Sequence, residues 1–251
     1  MSATGASAED VAKQLKMLMT FADETSYSYA DMANAMGKFA AKGFGGTSGK
    51  EAIEVARQVS EGIAIWAAQA GQNAQTAARV TYQMSQMAGW MKLQDWRSVT
   101  EANMATKQFM ELAMAVAEAD GTLEKFKDHY ITTDKARKAG TEVSVANFQE
   151  TLTKEGWLTT DVFTKTAKEY NSFFDATQKV VDAGIAKNTT EAMAKIKAGG
   201  KEITDLVGDW GDEYHQTLMK AFEQVRFQRL SQIQLMQLRM LYLLHSQIFS
   251  M

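Results

Sequence analysis

Apolar residues recur at helical spacing along almost the whole chain, and no run alternates convincingly with the period of a strand. The pattern predicts a first helix over 9–22, opened by Ser7 with Asp10 three residues on. A second spans Tyr29 to Lys42 and stops at Gly43, in the turn GFGGTSG. Ser48 and Glu51 have the spacing of a capping box, in which each side chain serves the other residue's free backbone N–H. The helix they open puts Ile53, Ala56, Val59, Ile63, Trp66, Ala67 and Ala70 on one face, with Gly71 as its stop. Ala77, Val80, Met84, Met87 and Met91 form the next apolar row. Two amphipathic helices joined by AGQN predict a helical hairpin. Phe109, Leu112 and Val116 line a later face, ended by Gly121.

The lysine-rich stretch KFKDHYITTDKARKAG is the least ordered part by composition, so 122–141 is expected to be the loosest segment. A short helix follows over Val145–Lys154 and a long one over Val162–Ala183. Another ends at Gly199-Gly200. Ile203, Leu206, Trp210, Tyr214, Leu218 and Phe222 mark a last helix, loosened by Gly208 and Gly211. No repeat of fixed period is visible. The expected fold class is therefore all-α, a multi-helix domain of antiparallel helical hairpins without a sheet.

Composition strengthens that reading. The 251 residues contain no proline, where average usage of roughly 5% would give about a dozen. Proline breaks helix interiors, so its absence suits a chain that is helical nearly throughout. Sixteen methionines add helix formers that also fill irregular gaps between helices. The absence of cysteine excludes disulfides and thiolate chemistry. A net charge of −3 gives no electrostatic case for specific nucleic acid recognition. No run reaches the roughly 18 apolar residues of a membrane span, and the polar, acidic start MSATGASAEDVAKQLKMLM is unlike a secretory signal. No stable membrane anchor is expected.

Candidates for chemistry are few. The turn GFGGTSGKE is a poor phosphate loop: Phe44 stands where the first glycine is due, Glu51 replaces the magnesium-binding hydroxyl, and no apolar strand precedes it. A turn leading into a helix cap is the simpler reading. His129, His215 and His245 have no metal-ligand spacing. No catalytic residue, cofactor or metal is assigned, and no enzyme is expected. The stretch QDWRSVTE reads as a helix entry, in which Ser98 and Glu101 would cap a helix starting at Val99. Asp95 then sits before the positive helix end, and Trp96 plugs the groove left by the preceding hairpin.

Several blocks together carry a resemblance. FADETSYSYADMANAMGKFAAKG, GIAIWAAQAGQNAQTAARVTYQMSQ, KLQDWRSVTEANMATKQF and VSVANFQETLTKEGWLTTDVF occur in this order from Phe21 to Phe163. The series resembles the N-terminal domain of tail tape measure proteins of long-tailed bacteriophages and prophages, with weaker similarity on to about Glu223. The motif positions in this chain are Trp66, Gln86, Asp95, Trp96, Asn103, Phe109 and Trp157. Two features depart from the family: the compact MAGWMKLQ before Asp95, and a length well short of the family's usual one. The resemblance implies a structural, non-enzymatic role in tail assembly and tail length determination. It also implies self-association, tail tube subunits and tail assembly chaperones as partners, and a location in the virion tail and, during assembly, the host cytoplasm. On that basis 1–142 is the helical tape-measure-type core and 143–224 its helical continuation. A helical adaptor or regulatory module of cellular origin is the alternative, binding partners through a groove between helices; a helical-fold enzyme is a third reading.

Residues 225–251 differ from what precedes them. VRFQRLSQIQLMQLRMLYLLHSQIFSM lacks Asp, Glu, Lys, Ala and Gly altogether. A membrane-surface or partner-binding helix is one explanation. Plausible codons read one base earlier, from the last base of the Gln232 codon, give DSTDATKDAVSTSFSDIFN, which regains acids and alanines and resembles the family's continuation. The expectation is an aberrant tail produced by a frameshift near Val225.

Overall fold

The computed structural model describes residues 4–25, 27–44, 47–104, 106–211 and 215. Ten helices account for most of these residues. The first is α1 (Ala8–Glu24). Ser7 Oγ accepts the Asp10 N–H at 3.1 Å and donates to the Asp10 carboxylate at 2.6 Å. Then come α2 (Tyr29–Ala41), capped by Ser28, and α3 (Gly49–Gln69). α4 (Ala74–Met84) begins at Asn73, whose side chain accepts the Thr76 N–H at 2.9 Å. Next are α5 (Leu93–Glu101) and α6 (Thr106–Asp120).

A small sheet interrupts the helices, contrary to the all-helical expectation. β1 (Leu123–Phe126), β2 (His129–Thr132) and β3 (Glu142–Val143) form one antiparallel sheet in that order. It occupies the lysine-rich stretch expected to be loose. Strands of four and two residues are too short to show an alternating pattern, and only Leu123 of β1 is buried. The segment is held by backbone bonds instead: Thr132 N–H to Thr141 O, Gly140 N–H to Thr132 O and Thr133 N–H to Thr122 O. Such pairing satisfies main-chain groups whatever the side chains are.

After the sheet come α7 (Phe148–Glu155), α8 (Thr160–Asp182), α9 (Thr189–Ala198) and α10 (Lys201–Val207). The helix that the apolar spacing draws from Ile203 through Trp210 is broken after Val207, because Gly208 ends α10 with φ 85°; Tyr214, Leu218 and Phe222 lie outside the described residues. This left-handed conformation suits glycine and stops helix propagation. The tail 225–251 lies outside the described residues.

α3 is the hub. Its buried residues face every direction, from Ala52 and Ile53 through Val55, Ala56, Val59, Ile63 and Ile65 to Ala68, so it is a core helix rather than a one-sided surface helix. α8, α2, α4 and α1 all pack against it. The closest approach is at Gly62, where an added Cβ would lie 1.8 Å from the Ala167 carbonyl oxygen of α8. Only a residue without a side chain lets these two helices come so near. The apolar core is one continuous cluster running from Leu18 in α1 to Trp210. Residues on both sides of position 142 belong to it, and β3 itself spans Glu142 and Val143. Among the described residues, no helix is long and apolar enough to cross a membrane.

Candidate functional site

Four of the seven motif positions converge. Trp66, near the end of α3, stacks on Phe109 of α6 with centroids 4.1 Å apart and planes at 15°. Trp96 of α5 lies 6.0 Å from Phe109 and 4.9 Å from Phe148 of α7. Phe148 meets Trp157 edge to face at 5.3 Å and 88°. All are buried. The Trp157 indole N–H donates to Thr151 Oγ1 at 3.2 Å, so its one polar group is satisfied inside the core. Each ring comes from a different segment, and the seam they form ties α3, α5, α6 and α7 together.

The corner beside Trp157 is a local clasp. Met91 N–H donates to Leu158 O at 2.8 Å, and Thr160 N–H donates to Gly89 O at 2.9 Å. The segment MAGWM therefore docks on GWLT through its backbone. Met87 and Met91 are buried there, although α4 has already ended at Met84; the apolar row continues in the core but not on the helix. Gly156 turns the chain with φ 58°, and a Cβ there would meet Arg137 Cβ at 2.9 Å and the Trp90 ring at 3.3 Å.

Asp95 acts one turn earlier than its sequence context suggests. α5 starts at Leu93, and the Asp95 carboxylate accepts the Lys92 backbone N–H at 2.9 Å and the Gln83 Nε2 donor at 3.2 Å. It is buried. Ser98 lies inside the helix and donates to Gln94 O at 3.2 Å, so Ser98 and Glu101 do not open a helix at Val99. Ser48 does take the cap position of α3, but its side chain makes no capping hydrogen bond. Gln86 and Asn103 stand apart from the rings, and both are exposed. Gln86 Nε2 donates to Ser85 Oγ at 3.3 Å. Asn103 closes α5 with φ 49°: its N–H donates to Thr100 O and the next N–H, of Met104, donates to Val99 O. That is the Schellman arrangement with asparagine in the left-handed position usually held by glycine.

A second cluster, polar and absent from the sequence reading, lies in the middle of α3. Arg57 is 1 % exposed and Glu61 is 0 % exposed. Arg57 Nε donates to Gln14 Oε1 of α1 at 2.7 Å and Nη2 to Asp175 Oδ1 of α8 at 3.0 Å, while Nη1 pairs with Glu61. Gln58 Nε2 donates to the other Asp175 oxygen at 2.8 Å. Burial pushes the Glu61 carboxyl up to about 8, partly opposed by Arg57 and reinforced by Asp175. Glu61 Oε1 has no hydrogen-bond partner. The neighbouring Asn171 favours the charged form of Glu61, yet neither of its amide atoms reaches hydrogen-bond geometry. A cavity of about 250 Å³ opens beside the cluster, lined by residues including Lys13, Gln14, Lys50, Glu54, Arg57 and Asp175.

The sequence carries no distinct signal for this cluster: Lys50, Glu54, Arg57, Gln58 and Glu61 share one face of α3, the pattern of a solvated face. Chemically the site offers charge pairing and proton exchange. Among the described residues, no group of three or more His, Asp or Glu side chains is placed to hold a metal ion. No family model, curated protein or solved structure matches the chain.

Proposed function

We propose that this chain is a structural phage tail protein, a portion of a tape measure protein that acts in tail assembly and tail length determination. The observation that carries the reading is the ordered series of blocks from Phe21 to Phe163. Trp66, Trp96, Phe109 and Trp157, which come from separate blocks, meet in one buried seam, which supports reading the blocks as parts of one fold. In this reading the helices stack as antiparallel hairpins, beginning with α3 and α4 across the Gly71 turn. The protein works by packing and assembly without catalysis or a cofactor. Its partners are tail tube subunits, tail assembly chaperones and further copies of itself, in the virion tail and, before that, in the host cytoplasm.

The test is genetic context followed by co-purification. Genes for a portal, a tail tube subunit and a tail assembly chaperone are expected beside this one, and the chaperone is expected to co-purify with the chain on co-expression. Neighbours unrelated to tails, with no co-purification, would overturn the reading. The charged cleft between α1, α3 and α8 favours the alternative, a helical adaptor of cellular origin, which the same neighbours would identify.

A further inference from the structure

One guanidinium joins three helices. Arg57 of α3 holds Gln14 of α1 and Asp175 of α8 by direct hydrogen bonds and pairs with Glu61 on its own helix. Of the three helices, α1 has the smallest hold on the core. Its buried residues are Gln14, Leu18, Phe21 and Ala22, against twelve for α8 and fifteen for α3.

We propose that the junction of α1, α3 and α8 is a proton-operated latch, which holds α1 on the core while Glu61 keeps its proton and loosens it when the proton leaves. With Glu61 neutral, the buried Arg57 is balanced by Asp175, which is 20 % exposed at the cleft. Loss of the proton adds a second carboxylate, itself fully buried, to a single guanidinium, leaving the junction with one net negative charge. Glu61 Oε1 makes no hydrogen bond, and the neighbouring Asn171 amide is not placed to donate to it. The charges acting on Glu61 are Arg57 from α3 and Asp175 from α8; α1 supplies the neutral Gln14 amide to Arg57, and none of the charges acting on Glu61 comes from α2 or α4. Lys13, Lys50, Lys179, Glu54 and Asp182 line the adjoining cleft. Water and those lysines reach the new charge most readily through this cleft, and widening it means moving α1. The raised affinity of Glu61 for its proton, with a midpoint near pH 8, sets where the latch opens. The inference rests on the junction alone and is independent of a role in tails.

Hydrogen–deuterium exchange of the full chain at pH 6.5 and 9, corrected for intrinsic rates, tests it. One pH unit above the midpoint the protonated form is outnumbered about tenfold, so protection of the α1 amides should fall by about tenfold. Amides of α6 and α7 that exchange through local opening should keep theirs, since the pH slope of Glu61 acts there only through global unfolding. In Glu61→Gln the α1 protection should change less than about twofold. If that variant does not fold, Asp175→Asn serves instead: Glu61 becomes the one carboxylate of the junction directly paired with Arg57, and α1 should stay protected at pH 9. Unchanged α1 protection in the parent chain, equal loss in the locally opening amides of all helices, or parent-like loss in the variant that folds would each overturn the latch.

Discussion

Two stretches of α3, its C-terminal end and its middle, solve the problem of burial in opposite ways. Towards its C-terminus, Trp66 stacks on Phe109 in a seam of rings, where the Trp157 indole hydrogen bond is made inside the core. Towards its middle, Arg57 and Glu61 are buried just as deeply, but Glu61 Oε1 and both Asn171 amide atoms are left without partners. Apolar packing gains from every contact and tolerates any orientation that fills space. A buried polar cluster stabilises only where all its groups are satisfied. The aromatic end is therefore the stable part of this molecule, and the polar middle is the part that responds to conditions.

The largest effect expected from breaking the aromatic end is that of Trp66→Ala or Trp96→Ala, at about 3–5 kcal/mol each, measured by urea unfolding. A loss under about 1 kcal/mol for either would mean that the rings do not carry the core. Gly62→Ala, at the close approach of α3 to α8, should cost about 1–3 kcal/mol, because Ala167 O occupies the place of the new methyl group. A neutral outcome would show that α8 shifts freely on α3.

The polar middle should appear in pH dependence. Glu61 is raised from 4.5 to about 8, so between those values the folded state binds its proton and the unfolded state releases it. Its contribution is complete below pH 4.5 and is lost as pH rises through 8. The slope is up to about 1.4 kcal/mol per pH unit. In Glu61→Gln the unfolding free energy should be flatter from pH 5 to 8; an identical slope would contradict the assignment. Smaller again is Asn103→Ala, at about 1–2 kcal/mol for a left-handed residue with a Cβ, while Asn103→Gly should be nearly neutral. Equal melting temperatures for the two variants would remove the left-handed cap from the account.

Much of this architecture was legible before folding. Ser7, Ser28 and Asn73 stand where helices start, and Gly71, Gly121 and Gly199 stand where they stop, because caps and left-handed stops are local chemistry. Trp96 as a buried plug was legible as well. The start of α5 was misjudged because two acceptor patterns compete within nine residues. Asp95 prevails since Gln83 from α4 fixes its other oxygen, a contact that no local pattern contains. The sheet was illegible for a related reason: its strands are held by backbone bonds between Thr132, Gly140 and Thr141, and they are too short for their side chains to show an alternating pattern.

By itself, the sequence determined that this chain is helical, where most helices begin and end, and which large side chains must be hidden. Those properties follow from spacing, propensity and turn chemistry within a few residues. Tertiary structure alone decided that Gly62 meets Ala167, that four rings from four segments share one seam, and that Arg57 is divided among α1, α3 and α8. The reason is physical. An i, i+4 pair such as Arg57 and Glu61 reads the same on a solvated face as in a core, and its proton affinity is set by the helices that exclude water from it.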